Sequence, residues 1–340
     1  MFQGSPFRST TVSSTRRRTL ALLAALTLAG TAACADTGAG TSGGDGINRL
    51  EVMAPADPGG GWDSSAREIA RVVEADGLAR SVQVSNVGGA GGTVGLAELK
   101  NERSEDFLMV MGLVMVGAIE TNQSQATLDD VTPIARLTGE DEVVVVPASS
   151  PYQTIDDLVA DLKAKGQGVA IAGGSAGGTD HMLAGLLAQA ADVPATNLNY
   201  VPFSGGGESL AALLGSQVSA GISGVGEYAE SVKSGDLRAL AVSGEERVAD
   251  LPDVPTLVES GYDVTLTNWR GVVAPPEISD EATERLTKLV ADMHASQAWK
   301  DTLATKGWTD EYLSGAEFTT FLDEEEQRVQ GVLKEIGLTS

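Results

Sequence analysis

Two glycine-rich turns stand close together near the front of this 340-residue chain: Pro58-Gly59-Gly60-Gly61-Trp62-Asp63 and Val87-Gly88-Gly89-Ala90-Gly91-Gly92. Each lies at the exit of a short apolar strand and the entrance of a helix. Glycine lets the backbone approach closely and adopt positive φ. A helix start leaves amide N–H groups unpaired beside a partial positive charge. Side by side, two such turns make a cradle of amide donors without a single lysine. That chemistry holds a small anion, and a carboxylate suits it. A single turn of this kind is ordinarily just a tight βα connection. Here the pattern returns at Gly173-Gly174-Ser175-Ala176-Gly177-Gly178-Thr179-Asp180 and again at Phe203-Ser204-Gly205-Gly206.

Other chemistries fit less well. Gly173 to Gly177 is formally G-x-S-x-G, the nucleophile elbow of hydrolases, and Asp253 or Asp263 with His294 would complete the order Ser, Asp, His. Yet His294 belongs to a helical pattern, no oxyanion segment precedes Ser175, and the early glycine turns would be left without a task. A serine that donates its hydroxyl to a bound ligand is the better reading. The histidines are His181 and His294, far apart and without a cysteine partner, so no metal and no other cofactor is expected. No Walker A sequence occurs, and Val94 stands where a dinucleotide fingerprint needs its third glycine. Asp63 and Arg67, four apart, form either an ordinary helical ion pair or a scaffold in which Asp63 ties the two turns together. His181, beside Asp180 at a helix start, serves either a pocket or a capping network.

The elements that must position these turns alternate along the chain. Residues 50–55, 81–86 and 107–112 read as short strands, each followed by a helical pattern, and this implies βαβ units with mostly parallel sheets. EVVVVP at 142–147 reads as a buried strand or a crossover between domains. Thr154 to Asp157 opens a helix with a capping-box pattern. Strands then recur at 169–174, 198–203, 218–224 and 237–244, and NWRGVVAPP at 268–276 reads as a strand returning to the first domain. The tail from Ser279 is almost wholly helical.

The length suits two domains and a large core. The formal net charge is −24, and Arg8, Arg16, Arg17 and Arg18 all precede Cys34 in an acid-free segment, so the remainder is more acidic still. That balance excludes nucleic acid and anionic membrane surfaces as partners. Residues 1–34 read as an export signal: three arginines, then an apolar run too short to span a bilayer. Thr31-Ala32-Ala33-Cys34 has the form of a bacterial lipobox, with Thr31 in place of the usual leucine, and Cys34 is the sole cysteine. The expectation is an exported, extracytoplasmic protein lipid-anchored through Cys34, with 35–47 as a flexible tether; ordinary cleavage at the same small residues is the alternative. Thr15 to Leu20 also loosely fits a twin-arginine signal.

Taken together, PADPGGGWDSSAR, SVQVSNVGGAGGTVGLAEL, AGGSAGGTDHMLAGLLA, YVPFSGGGESLAALLGSQVSAGISG and WRGVVAPPEIS resemble the extracytoplasmic substrate-binding proteins of tripartite tricarboxylate transporters, the TctC or Bug family, from about Leu50 to the C-terminus. The resemblance implies a two-lobed, periplasmic-binding-protein-like (Venus flytrap) α/β fold with a hinge of crossover strands near 143–147 and 267–272. Lobe one would be 48–143 plus 268–340, and lobe two 144–267. It also implies a binding protein rather than an enzyme, one that captures a citrate-like di- or tricarboxylate for membrane permease subunits; a ligand-sensing lipoprotein or a hydrolase using Ser175 are the alternatives. Carried over, the ligand site comprises Gly59, Gly60, Gly61, Trp62 and Asp63 in the first turn and Gly88, Gly89, Ala90 and Gly91 in the second. In the far lobe it comprises Ser175, Gly178, Thr179 and Asp180, then Phe203, Ser204 and Gly205. Gly88 departs from the family's usual proline, which loosens the second turn.

Overall fold

A computed structural model describes residues 47–204 and 206–339. The export segment, Cys34, most of the tether and Gly205 lie outside the described residues. The chain begins with β1 (Leu50–Ala54), α1 (Gly61–Ala75), β2 (Val82–Asn86), α2 (Thr93–Leu99), β3 (Phe107–Gly112), α3 (Leu113–Thr121) and β4 (Thr132–Gly139). It continues through β5 (Glu142–Pro147), α4 (Ile155–Lys165), β6 (Ala170–Gly173), α5 (Thr179–Ala190), β7 (Asn199–Pro202), α6 (Gly206–Leu214), β8 (Ala220–Gly224), α7 (Val225–Lys233) and β9 (Leu237–Val242). Then come β10 (Arg270–Ala274), α8 (Asp280–Ala295), α9 (Gln297–Lys306), β11 (Thr309–Ser314) and α10 (Gly315–Glu335).

These strands make two sheets, ordered β11-β4-β10-β3-β1-β2 and β7-β6-β8-β5-β9. Each is mixed. β3, β1 and β2 run parallel in the first, and β7, β6 and β8 in the second. β10 lies antiparallel to β3 and β4, and β5 antiparallel to β8 and β9. The antiparallel half of each sheet arises where the chain changes lobe, because an entering or returning strand arrives from the opposite end. The two crossing segments bond to each other: Glu140 and Asn268 exchange backbone hydrogen bonds of 3.2 and 2.8 Å, and Asp141 bridges Thr267.

The valine run of β5 is explained by burial on both faces. Val144 and Val146 join the larger apolar cluster, while Val143 and Val145 join a second one with Leu213 and Tyr228. Thr154 caps α4 through a capping box with Asp157. β4 and β11 are two strands that the sequence pattern did not announce: β4 carries a proline at its second residue, and β11 (TDEYLS) is polar and half-exposed. Ser296 splits the tail's first helical run into α8 and α9, leaving the helical region and capping α9 by accepting from Trp299 N at 3.2 Å.

Candidate ligand cleft

The first turn leads from β1 into α1, and the second from β2 into α2. Asp63, buried in the first turn of α1, accepts from Gly59 N, from Arg67 Nε and from Asn86 Nδ2, each at 2.9 Å. Asn86 is the last residue of β2 and also donates to Ala56 O at 3.1 Å. One carboxylate thus joins the first turn to the strand that feeds the second. Burial pushes the Asp63 carboxyl up, but the hydrogen bonds from Arg67, Asn86 and Gly59 outweigh it and hold the group below the usual carboxylate range.

In the second turn Gly91 and Gly92 have φ of 61° and 90°, open to glycine at little cost. A Cβ on Gly92 would also lie 2.6 Å from the buried Trp62 ring. Asp57 fills the space a Cβ on Gly88 would need. The residue that departs from the family's proline therefore makes room for an acid from the first turn.

From the second lobe come two more turns. Ser175 and Ala176 lie ahead of α5. Asp180, in the first turn of α5, accepts from Gly174 N at 2.6 Å, and Tyr200 donates its hydroxyl to Gly174 O at 2.9 Å. His181 accepts from Gly177 N through Nδ1 at 3.2 Å and stacks on Tyr200 with ring centroids 4.0 Å apart. Burial pushes the imidazole down to about 4, so it is neutral and part of the turn's framework. His294 lies elsewhere, bonded to Asp310 at 2.9 Å.

The four turns close on one cleft of about 710 Å³. It is lined by Gly59, Gly60, Gly61 and Trp62, by Gly89, Ala90 and Gly91, and by Ser175, Asp180, Phe203 and Ser204. Asp63, Gly88, Gly178 and Thr179 stand behind this lining. Thr179 is fully buried and donates its hydroxyl to Asn268 Oδ1 at 3.3 Å. Among the described residues, the N–H groups of Gly60, Gly61, Ala90, Gly91, Ser175 and Ala176 have no acceptor. Gly91 and Ser175 face each other across the opening; a Cβ on Gly91 would lie 3.6 Å from that of Ser175.

From sequence, Arg270 stands near the cradle as a cation with an ordinary ion-pair explanation; the acids that surround it on the floor were passed over. Arg270, at the start of β10, is 5% exposed and lines the cleft. Its Nη2 is 2.6 Å from Glu140 Oε2, whereas Nη1 is buried and has no partner among the described residues. Glu140 also accepts from Gly226 N at 2.9 Å, and Asn268 Nδ2 donates to the buried Glu142 at 3.0 Å. Glu227 accepts from Ser223 Oγ at 2.9 Å and from Gly206 N, at the start of α6. The signal was present: charged residues interrupt two otherwise apolar stretches, EDEVVVV and NWRGVV.

Two α/β lobes, joined by paired crossover segments and enclosing an amide-lined cleft, define a solute-binding protein of the periplasmic-binding-protein-like fold. The chain belongs to the TctC family, described as Tripartite tricarboxylate transporter family receptor, which it matches over residues 66–338. That family is one of solute receptors, not enzymes. The chain is similar to Protein BugT of Bordetella pertussis, 28% identical over 294 residues that cover 85% of this chain and 89% of BugT. Among solved structures it is similar to R. palustris Rpa4515 with adipate (TM-score 0.77, 21% identity, 85% and 97% of the two chains). It is likewise similar to MatC (Rpa3494) from Rhodopseudomonas palustris with bound malate (TM-score 0.73, 22% identity, 84% and 99%). Among the described residues, no helix is long and apolar enough to cross a membrane.

Proposed function

We propose that this protein is an exported receptor that captures a small carboxylate between its lobes and presents it to the membrane subunits of a tripartite tricarboxylate-type transporter. The observation that carries this reading is the convergence of unpaired amides from three turns, at Gly60–Gly61, Ala90–Gly91 and Ser175–Ala176, on one cleft. A hydrogen bond to a charged group is worth about 1.5–3 kcal/mol, and a partly buried helix end up to about 2 kcal/mol. Three bonds and two helix ends reach the roughly 8 kcal/mol of micromolar affinity before ordering costs. The names of similar proteins, one with malate and one with adipate, support a dicarboxylate. A third carboxylate would have to share the cleft with Asp57, Asp180, Glu208 and Glu227.

Because N–H groups do the recognising, the ionised carboxylate is essential. Calorimetry over a panel of small di- and tricarboxylates, with and without hydroxyl or amino substituents, identifies the best acid. Its mono-amide is expected to bind at least about tenfold more weakly. Equal affinity for acid and amide would defeat the reading.

A further inference from the structure

The second turn is left-handed throughout. Gly89, Ala90, Gly91 and Gly92 have φ of 125°, 50°, 61° and 90°. For the three glycines that region is open at little cost. For Ala90 it is not, because the Cβ of an L-residue crowds the following carbonyl there. A contact from outside the residue has to hold it.

Two such contacts meet on its carbonyl. Ala90 O accepts from Asn122 Nδ2 at 2.9 Å and from Thr93 Oγ1 at 3.0 Å, which occupies both lone pairs of the oxygen. Thr93 is the first residue of α2, so its bond is local. Asn122 caps the C-terminus of α3, 32 positions along the chain from Ala90. Ala118 and Asn122 stand four apart and share a face of that helix. A Cβ on Gly91 would lie 2.5 Å from that of Ala118. The face of α3 that underlies Gly91 thus delivers Asn122 to Ala90 one helical turn later.

A trans peptide sets its C=O and its N–H in opposite directions. Anchoring Ala90 O therefore fixes the direction of the Gly91 N–H. That group has no acceptor among the described residues, and Gly91 lines the cleft opposite Ser175. Successive amides arranged in this way make a concavity for an anion.

We propose that Asn122 is a positioning residue of the cleft: with Thr93 it clamps the Ala90 carbonyl and holds the second turn in the form that presents the Gly91 N–H to the ligand. This rests on the reading that the cleft captures a carboxylate, and assigns a residue that prepares it.

The test titrates the best acid of the panel calorimetrically into the full chain and its variants. Asn122→Ala should bind about tenfold more weakly, because release of Ala90 lowers the fraction of molecules with a competent turn. Asn122 is exposed, so the variant is expected to fold, and its melting curve checks this. Adding Ala90→Gly to Asn122→Ala should recover most of the loss, since glycine takes the left-handed form without a clamp. A side chain that bonded the ligand directly could not be replaced by glycine at 90, so recovery separates positioning from contact. A second readout needs no ligand. In magnetic resonance spectra of isotope-labelled alanine, the signal missing from Ala90→Gly identifies Ala90, and it should shift in Asn122→Ala. Unchanged affinity in Asn122→Ala overturns the proposal, as does a loss that Ala90→Gly leaves in place or an Ala90 signal that does not move. In those outcomes the carboxylate reading stands. If no acid of the panel binds to the folded wild type, that reading falls, and this proposal with it.

Discussion

At the scale of single residues, Arg270 carries the most consequence. It is buried, its charge is met by Glu140 at 2.6 Å, and Gly61 is tolerated above it because a side chain there would strike the guanidinium, 2.6 Å from Nη2. The first glycine turn and the strand returning from the second lobe therefore fit one another. Arg270→Ala leaves Glu140 buried and uncompensated, and should cost about 3–5 kcal/mol of stability. Glu140→Gln in the same chain should recover much of that, because glutamine removes the orphaned charge and can still accept from Gly226 N. Urea unfolding of the single and double variants measures both steps; a loss below about 1 kcal/mol for Arg270→Ala would show that the pair is structurally idle. Asp63 reads differently from sequence and structure only in its reach. Its spacing to Arg67 gave the ion pair, but its contact with Asn86, 23 positions on, required the register of β1 against β2.

At the scale of elements, much was legible because the signals were local. The glycine turns lie between strands and helices as their composition requires, and Thr154 caps α4 where its hydroxyl and Asp157 predict. β4 and β11 were not legible, since a proline and a polar, half-exposed sequence hide strands that exist by pairing with β10 and with each other. Nor could sequence gather the acids. Glu142 on β5, Asp180 on α5 and Glu227 on α7 meet only when three connections fold back on the crossing segments. Burial pushes Asp180 up to about 7 and Asp141 up to about 6, and raises Glu142 and Glu227. The folded state thus holds these protons more tightly than the unfolded chain. The stability they contribute is full below the ordinary carboxylate range and is lost as pH rises through the folded values. His181 acts in the opposite sense, its folded value depressed to about 4, but its contribution is complete above 6.5. Between pH 6.5 and about 8 the ligand-free protein should lose on the order of 1 kcal/mol, and Asp180→Asn should flatten that slope. Urea unfolding at the two pH values decides; flat or rising stability would count against the buried acids.

At the scale of the whole molecule, the lobes approach each other closely where α3 meets the third turn. Gly117 on α3 belongs to the first lobe and Gly177 to the third turn, in the second; a Cβ on Gly117 would fall within contact distance of Gly177 O. That neighbour is backbone carbonyl and cannot swing aside as a flexible side chain would. Alanine at 117 is favourable for the helix itself, so its cost falls on the approach of the two lobes. The same approach brings Ser175 opposite Gly91 and encloses the cleft. Apparent affinity scales with the fraction of molecules competent to bind, so lowering a nearly full closed population to about one tenth weakens binding about tenfold. Gly117→Ala should therefore bind the best acid about tenfold more weakly, and small-angle scattering should show a larger radius of gyration in the presence of ligand. Gly331→Ala is the control, because a Cβ there meets nothing within 4 Å, and it should leave binding unchanged. With a formal charge of −24 on the chain, the long-range field opposes any anion, and contacts made within the closed cleft must supply the affinity. Salt should accordingly change the affinity of wild type and Gly117→Ala only mildly and alike, while closure separates them. If Gly117→Ala folds with wild-type stability and keeps wild-type affinity, the contact between α3 and the third turn does not govern closure.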